Sequence, residues 1–373
     1  MKFSVKQDKL SRALQIVTRA VPTKASLPIL NNILITANNN SLIISATNLD
    51  TAIQVEVDAI IETEGVIAVP AKIVKELISS LPQNLLNFES KGYTLNLKLD
   101  NTKTKFNGID PKDYPSLPKI SESSEYISIS PVVLNQINQL IPFSASNDTS
   151  KGVFTGIYLN FSEKSLTAVA TDGNRLSEIS VTLNQKISQP SNVVIPAKTF
   201  AEVTKIFLTN QSDVNIYFKD TDNLLIFKSE DVIIETRVLD GQYPDYKKVI
   251  PTSHTVKATF SLSEFDNALK ITNIFAKETD SGTIKLKFDP VEKQIKVSSQ
   301  AESSGENETI VPADVEGDLI ESAFNCKYLL DLTANLKVEN IELSTNSATS
   351  PFLFKSNEKE NYLHLIMPLL SFK

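Results

Sequence analysis

The chain has 373 residues, too many for one comfortable hydrophobic core and suited to two or three domains. Its 41% hydrophobic and 22% charged residues are ordinary globular material, and its single cysteine, Cys326, excludes an internal disulfide and a cysteine-built metal site. A net charge of −7 argues against a nucleic-acid partner unless positive charge is gathered locally, because phosphate binding needs a basic footprint.

The N-terminus, MKFSVKQDKL, is charged at Lys2, Lys6, Asp8 and Lys9, which does not suit the apolar core of a signal peptide. No apolar run approaches the roughly 18 residues of a membrane helix, so a cytoplasmic protein is expected. Three segments then open alike, with a short strand followed by a helix. Residues 2–5 lead into 8–20, where Leu10, Ala13, Leu14, Val17 and Ala20 recur at helical spacing. Residues 126–130 lead into a helix from Pro131, a residue suited to a first turn. Residues 256–262 lead into a helix over 263–277, with Ser263 as its expected cap. Leu10, Leu134 and Phe265 hold equivalent places in these three helices.

A second helix recurs as well. VPAK at 69–72 matches IPAK at 195–198, and 324–336 keeps the lysine at Lys327 without the proline. Between the two helices, SATNLDTAIQVEV (45–57) is rewritten as VATDGNRLSEISV (169–181), with Thr47 and Thr171 closing equivalent strands 124 residues apart. A period that long means tandem domains rather than a small-repeat solenoid. Proline-marked joints, IDPKDYPSLP (109–118) and LDGQYPDYKKVIP (239–251), separate the copies. The expected domains are therefore 1–123, 124–251 and 252–373, each with two helices packed on antiparallel strands in an α+β fold.

Catalytic chemistry is sparse. His254 lies in a polar linker and His364 in the last strand, and no spacing ties either to a serine or an acid. No GxGxxG, P-loop or HExxH occurs, so neither cofactor nor metal is expected. The turn aspartates Asp50 and Asp172 are expected to cap their own backbone. The six predicted helices carry ten lysines and arginines against six acids, a balance of +4 that leaves −11 for the rest. Helices sharing one surface would make it positive on an acidic body, fit to hold a duplex by its phosphates without reading its bases.

Six stretches now carry a resemblance: LPILNNILITA (27–37), FNGIDPKDYPSLP (106–118), ATDGNRL (170–176), VIPAK (194–198), the 239–251 joint and IMPLL (366–370). In this order and spacing the chain resembles, along its entire length, the bacterial DNA polymerase III beta subunit, the sliding clamp. The resemblance implies a non-catalytic processivity factor for a DNA-directed DNA polymerase. It implies three similar domains, paired head to tail in a homodimeric ring whose helices line a hole around double-stranded DNA. It also implies a hydrophobic cleft for short motifs of the replicative polymerase, clamp loader, repair polymerases and mismatch-repair proteins.

Carried over by position, the DNA contacts would be Lys24 and Lys198, supported by Lys72, Arg12, Arg19 and Lys205. The cleft would take Phe154, Thr171, Gly173, Arg175, Leu176, Pro244, Val249, Leu365, Met367, Pro368 and Leu369. Phe106, Ile274 and Phe275 would close the dimer. Asn174 stands where the family often has histidine, Lys248 where arginine is common, and Phe154 where leucine is frequent, so client preference is expected to differ. Phe372, beyond the MPLL motif, could reach back over the cleft. Two rival readings are a protein-binding scaffold without DNA binding and an enzyme using His254.

Overall fold

The apolar spacing near the N-terminus produces α1, Gln7–Val17, continued by a tighter turn over Thr18–Ala20. Leu10, Ala13, Leu14 and Val17 form its buried face. The later helices are α2 (Ala71–Ser80), α3 (Pro131–Leu140), α4 (Ala197–Phe207), α5 (Leu262–Ala276) and α6 (Cys326–Asn335). The computed structural model describes residues 1–38, 41–99, 102–115, 125–187, 190–219, 223–278, 282–301 and 305–369. The expected boundary at 123, the end of the first joint and Phe372 lie outside the described residues. No helix among them is long and apolar enough to cross a membrane.

The cap of α5 differs from the expectation. Ser261, not Ser263, accepts the Glu264 N–H at 3.5 Å, and the helix starts one residue earlier. Ser261 is the last extended residue, with a backbone that aims its hydroxyl at the first turn, whereas Ser263 is already helical. At α6 the Asn325 side chain accepts the Lys327 N–H at 3.0 Å.

Contacts divide the chain into two compact units, residues 1–134 with 199–238, and residues 135–198 with 239–373. Each holds one twelve-stranded sheet, and every strand pair among the described residues is antiparallel. In the first unit the strands run in the order Thr102–Asn107, Thr94–Leu99, Leu85–Lys91, Lys2–Lys6, Thr51–Thr63, Val232–Arg237, Leu224–Ser229, Val214–Lys219 and Ile127–Ile129. Asn32–Asn38, Ser41–Thr47 and Gly65–Pro70 branch from Thr51–Thr63. In the second the order is Ser191–Pro196, Gly156–Ser162, Ser165–Thr171, Arg175–Thr182, Tyr362–Ile366, Phe352–Lys355, Asn340–Thr345, Val256–Ser261, Gly305–Glu316, Gln294–Ala301, Thr283–Asp289 and Ile320–Asn325.

The middle segment thus lends strands to both sheets. Ile234 faces Ile53 in one ladder and Leu176 faces Leu365 in the other. An edge strand carries a row of unmet backbone groups, and pairing with the neighbouring repeat satisfies them.

The repeat read in the sequence is also a repeat of hydrogen bonds. Asp172 caps its turn as expected, its Oδ1 accepting the N–H groups of Asn174 and Arg175 at 2.9 and 3.1 Å. In the first copy the acceptor is Asn48 and not Asp50, its Oδ1 taking the N–H groups of Asp50 and Thr51 at 3.0 and 2.7 Å, because Asn48 follows Thr47 as Asp172 follows Thr171. Thr47 and Thr171 each accept the next-but-one N–H, from Leu49 and Gly173. The backbone turns left-handed there, at φ 80° for Leu49 and 95° for Gly173. Glycine is the relaxed choice at such a position and leucine a strained one. The first joint folds onto its own unit: Tyr114 O–H donates to Asn32 O at 3.1 Å, and Gly108 N–H to Tyr93 O at 2.7 Å. A β-carbon at Gly108 would lie 2.5 Å from Ala68 O, so only glycine allows that approach.

Candidate functional site

The second unit gathers most of the expected cleft residues. Leu176 and Leu365 pair across strands Arg175–Thr182 and Tyr362–Ile366 and are buried with Val169, Val194, Tyr243 and Tyr246. Met367, Val153, Tyr158, Leu239, Ile250 and Leu363 pack against this cluster and stay partly exposed. Leu176 and Leu365, each 2% exposed, therefore form a floor. The surface open to a visitor comes from Met367, from half-buried Phe154 and from Val249, 47% exposed. Pro244 is exposed, Leu369 half-buried and Pro368 buried. Met367 N–H donates to Asn174 O and Leu369 N–H to Ala323 O, both at 2.8 Å, which ties the last segment to the Asp172 turn and to strand Ile320–Asn325.

Thr171 holds the turn from inside, its hydroxyl donating to Arg175 O at 2.6 Å. Arg175 is only 6% exposed. Its Nε donates to Asp172 Oδ2 at 3.1 Å and its Nη1 to Asp331 Oδ2 at 2.6 Å. The guanidinium also lies over the Tyr328 ring, 4.5 Å from its centroid, and 5.9 Å from that of Phe143. A buried charge with two carboxylates and two aromatic faces is a fixed post, because moving away from them would leave it buried without partners. Beside it a cavity of about 530 Å³ is lined by Ser150–Phe154, Asp172 and Asp240–Gln242.

Several contributors escaped the sequence reading. Tyr158 stacks on Tyr243 at 4.8 Å between centroids, and Tyr246 meets Tyr158 edge-on at 6.4 Å. Burial raises the pKa of all three hydroxyls, with Glu178 adding to the rise at Tyr246. Tyr243 and Tyr246 were visible in the YPDY joint, where they read as punctuation. Tyr328 and Asp331 of α6 reach Arg175 across 153 and 156 residues of chain, and no local pattern marks them.

The expected DNA contacts fall into two groups. Lys24, Lys72 and Lys198 are exposed and form no ion pair among the described residues. Arg12 instead holds Asp231 at 2.6 Å, while Arg19 and Lys205 share Glu202 at 2.6 and 3.0 Å. In the first unit the ion pairs of Arg12, Arg19 and Lys205 thus stand beside Lys24 and Lys72, which have no ion pair among the described residues, while Lys198 belongs to the second unit. At the expected dimer contact, Phe106 is buried within its own sheet, Ile274 is 66% exposed and Phe275 half-buried. His254 is exposed, whereas His364 is wholly buried and held neutral, its pKa pushed down to about 3 by burial and by nearby Arg175. Among the described residues no cluster could hold a metal ion.

Comparison with known proteins bears on the whole chain. Residues 1–118, 128–245 and 247–370 match the N-terminal, central and C-terminal domains of the DNA polymerase III beta subunit. The beta sliding clamps of Bacillus subtilis and Staphylococcus aureus are 29% and 27% identical, with both chains covered end to end. The crystal structure of the B. subtilis sliding clamp superimposes with a TM-score of 0.94 at 28% identity, covering 100% of both chains. That of the Pseudomonas aeruginosa clamp bound to griselimycin gives 0.91 at 22%, again over 100% of both chains, a likeness of fold. With three tandem domains matched in order, the chain belongs to the DNA polymerase III beta subunit family, the sliding clamps, non-catalytic accessory subunits of the replicative polymerase.

Proposed function

We propose that two copies of this chain pair head to tail into a ring that encloses duplex DNA in the cytoplasm, with domains at 1–123, 124–251 and 252–373. The observation that carries the pairing is a match of two open strand edges. Thr102–Asn107 ends the sheet of the first unit, its outer edge unpaired among the described residues. Its exposed Lys103 lies directly opposite Lys98. Like charges facing each other across a ladder destabilise it, and a carboxylate-bearing partner strand would relieve them. In the second unit, among the described residues, Gly305–Glu316 pairs over its first half only with Gln294–Ala301, leaving one edge open. Glu306 is exposed there, and Glu308 is exposed but held by Lys296 at 3.1 Å, a weak surface pair it could exchange. Ile274 and Phe275 would supply apolar contact beside this joint, while Phe106, buried in its own sheet, would brace the edge strand from beneath.

In the ring, Lys24, Lys72 and Lys198 face phosphates. Arg12, Arg19 and Lys205 join them by exchanging exposed carboxylate partners, a small loss because such ion pairs are weak. Contacts of this kind are non-specific and salt-sensitive, as sliding requires. Topology supplies the hold, and the acidic remainder disfavours binding on the outside. The apolar cleft built on Leu176, Leu365 and Met367, with Phe154, Thr171, Gly173, Arg175, Pro244, Val249, Pro368 and Leu369, receives short hydrophobic motifs of the polymerase, the loader and repair proteins.

The test loads the protein on nicked circular DNA and then linearises the circle. A threaded ring stays on the circle and is lost from the ends. Retention on linear DNA would mean binding in a groove, and no retention on the circle would favour a scaffold that binds only proteins.

A further inference from the structure

The strand that delivers Met367 to the cleft is short. Tyr362–Ile366 pairs with Arg175–Thr182 through five residue pairs, from Ile179 opposite Tyr362 to Arg175 opposite Ile366. Alternation places Leu176 and Leu365 on the cleft face and Ser177, Tyr362, His364 and Ile366 on the other. The cleft face is leucine at 363 and 365 and methionine at 367, so a slip of two residues would keep every apolar side chain on its own side. It would nevertheless carry Met367 about 7 Å along the strand.

The opposite face distinguishes the registers. Ser177 Oγ lies 2.8 Å from His364 Nδ1 and 2.7 Å from Ser144 Oγ, with the Tyr362 hydroxyl at 3.4 Å. Ser144, Ser177 and His364 are wholly buried and Tyr362 is 2% exposed. Phe143 and Phe354 flank the imidazole at 5.4 and 6.2 Å, and its Nε2 has no hydrogen-bond partner among the described residues. After a two-residue slip, Ser177 would face Ile366 or Tyr362 in place of the imidazole. Buried polar groups cost stability when unmatched, so a cluster matched in one register selects that register.

We propose that His364, with Ser177 and Ser144, is a positioning group: a register lock on the last strand that holds Met367 in the cleft without touching the bound motif. The inference rests on the cleft reading above for its consequence in binding, and on the ladder alone for its mechanism. An apolar residue of similar volume, His364→Leu, removes the lock and keeps the packing. His364→Asn keeps a polar atom near the place of Nδ1 and leaves a cavity.

The experiment follows amide hydrogen exchange at Met367 and the affinity of a fluorescein-labelled pentapeptide with leucine and phenylalanine anchors, alongside melting. His364→Leu should melt within about 3 °C of the wild type. Its Met367 amide should exchange about tenfold faster, and the peptide should bind about tenfold more weakly. His364→Asn should melt lower, yet keep wild-type exchange and bind within about twofold. Wild-type exchange in His364→Leu, or loss of peptide that tracks melting across both variants, overturns the lock. So does wild-type peptide affinity in a His364→Leu chain whose exchange is fast. If the wild-type chain itself fails to bind the peptide, the cleft reading falls while the Met367 amide still decides the register.

Discussion

His364 and Arg175 stand on the same face of one ladder and meet their burial in opposite ways. Arg175 is buried between the carboxylates of Asp172 and Asp331, whereas His364 has no carboxylate partner among the described residues and is buried neutral. In the fold the imidazole binds a proton only near pH 3, but in the unfolded chain it does so below about 6.5. Between those values the unfolded state carries the extra proton. The stability from burying a neutral imidazole is therefore complete above about pH 6.5 and is lost as pH falls towards 3. The slope is at most about 1.4 kcal/mol per pH unit. Urea unfolding at pH 7, 6 and 5 should show a shallower loss for His364→Leu than for the wild type. Equal slopes would mean that the imidazole titrates normally in the fold.

Among the elements, α6 has the most consequence for the site, since it carries both Tyr328 and Asp331 to Arg175. Its start depends on Asn325, whose side chain accepts the Lys327 N–H. Asn325→Ala removes that acceptor and should cost about 1 kcal/mol, read as a melting temperature lower by about 2–4 °C. An unchanged melting temperature would show that solvent satisfies the helix start equally well. The repeated turns make a related point. Leu49 holds a left-handed backbone where the second copy uses Gly173, so Leu49→Gly should be tolerated. Gly173→Leu should strain the turn that anchors Met367. Proteolysis of the two variants would separate them, with only the second cleaved faster than wild type.

For the molecule as a whole, Lys103 opposite Lys98, which has Glu89 at 3.9 Å, leaves the outer edge cationic, a disadvantage in a lone chain and an asset in a ring. Lys103→Glu with Lys105→Glu should shift sedimentation from dimer to monomer at micromolar concentration. Adding Glu306→Lys and Glu308→Lys to the same chain should restore the dimer in part. A dimer indifferent to both changes would remove these edges from the interface. High salt should weaken the wild-type pair, because exposed charges are screened beyond about 10 Å at 0.1 M.

The sequence by itself determined the periodic parts. Apolar spacing located the first α-helix of each repeat, and the recurring VPAK-like start located the second. The Asp172 turn was legible because aspartate bonds its own backbone within three residues, whereas in the first copy Asn48 takes the role expected of Asp50. The residues proposed for the cleft came from resemblance in the loops and last strand, and from chemistry only for the apolar residues around Met367. Tertiary structure alone decided what joins distant residues: the sharing of middle strands between two sheets, Asp331 and Tyr328 on Arg175, the tyrosine stack, Ser177 on His364, and the carboxylates that occupy Arg12 and Arg19. Local patterns follow from backbone geometry, which acts over three or four residues. Burial and charge pairing depend on which surfaces the folded ladders bring together, and no spacing in the chain encodes that.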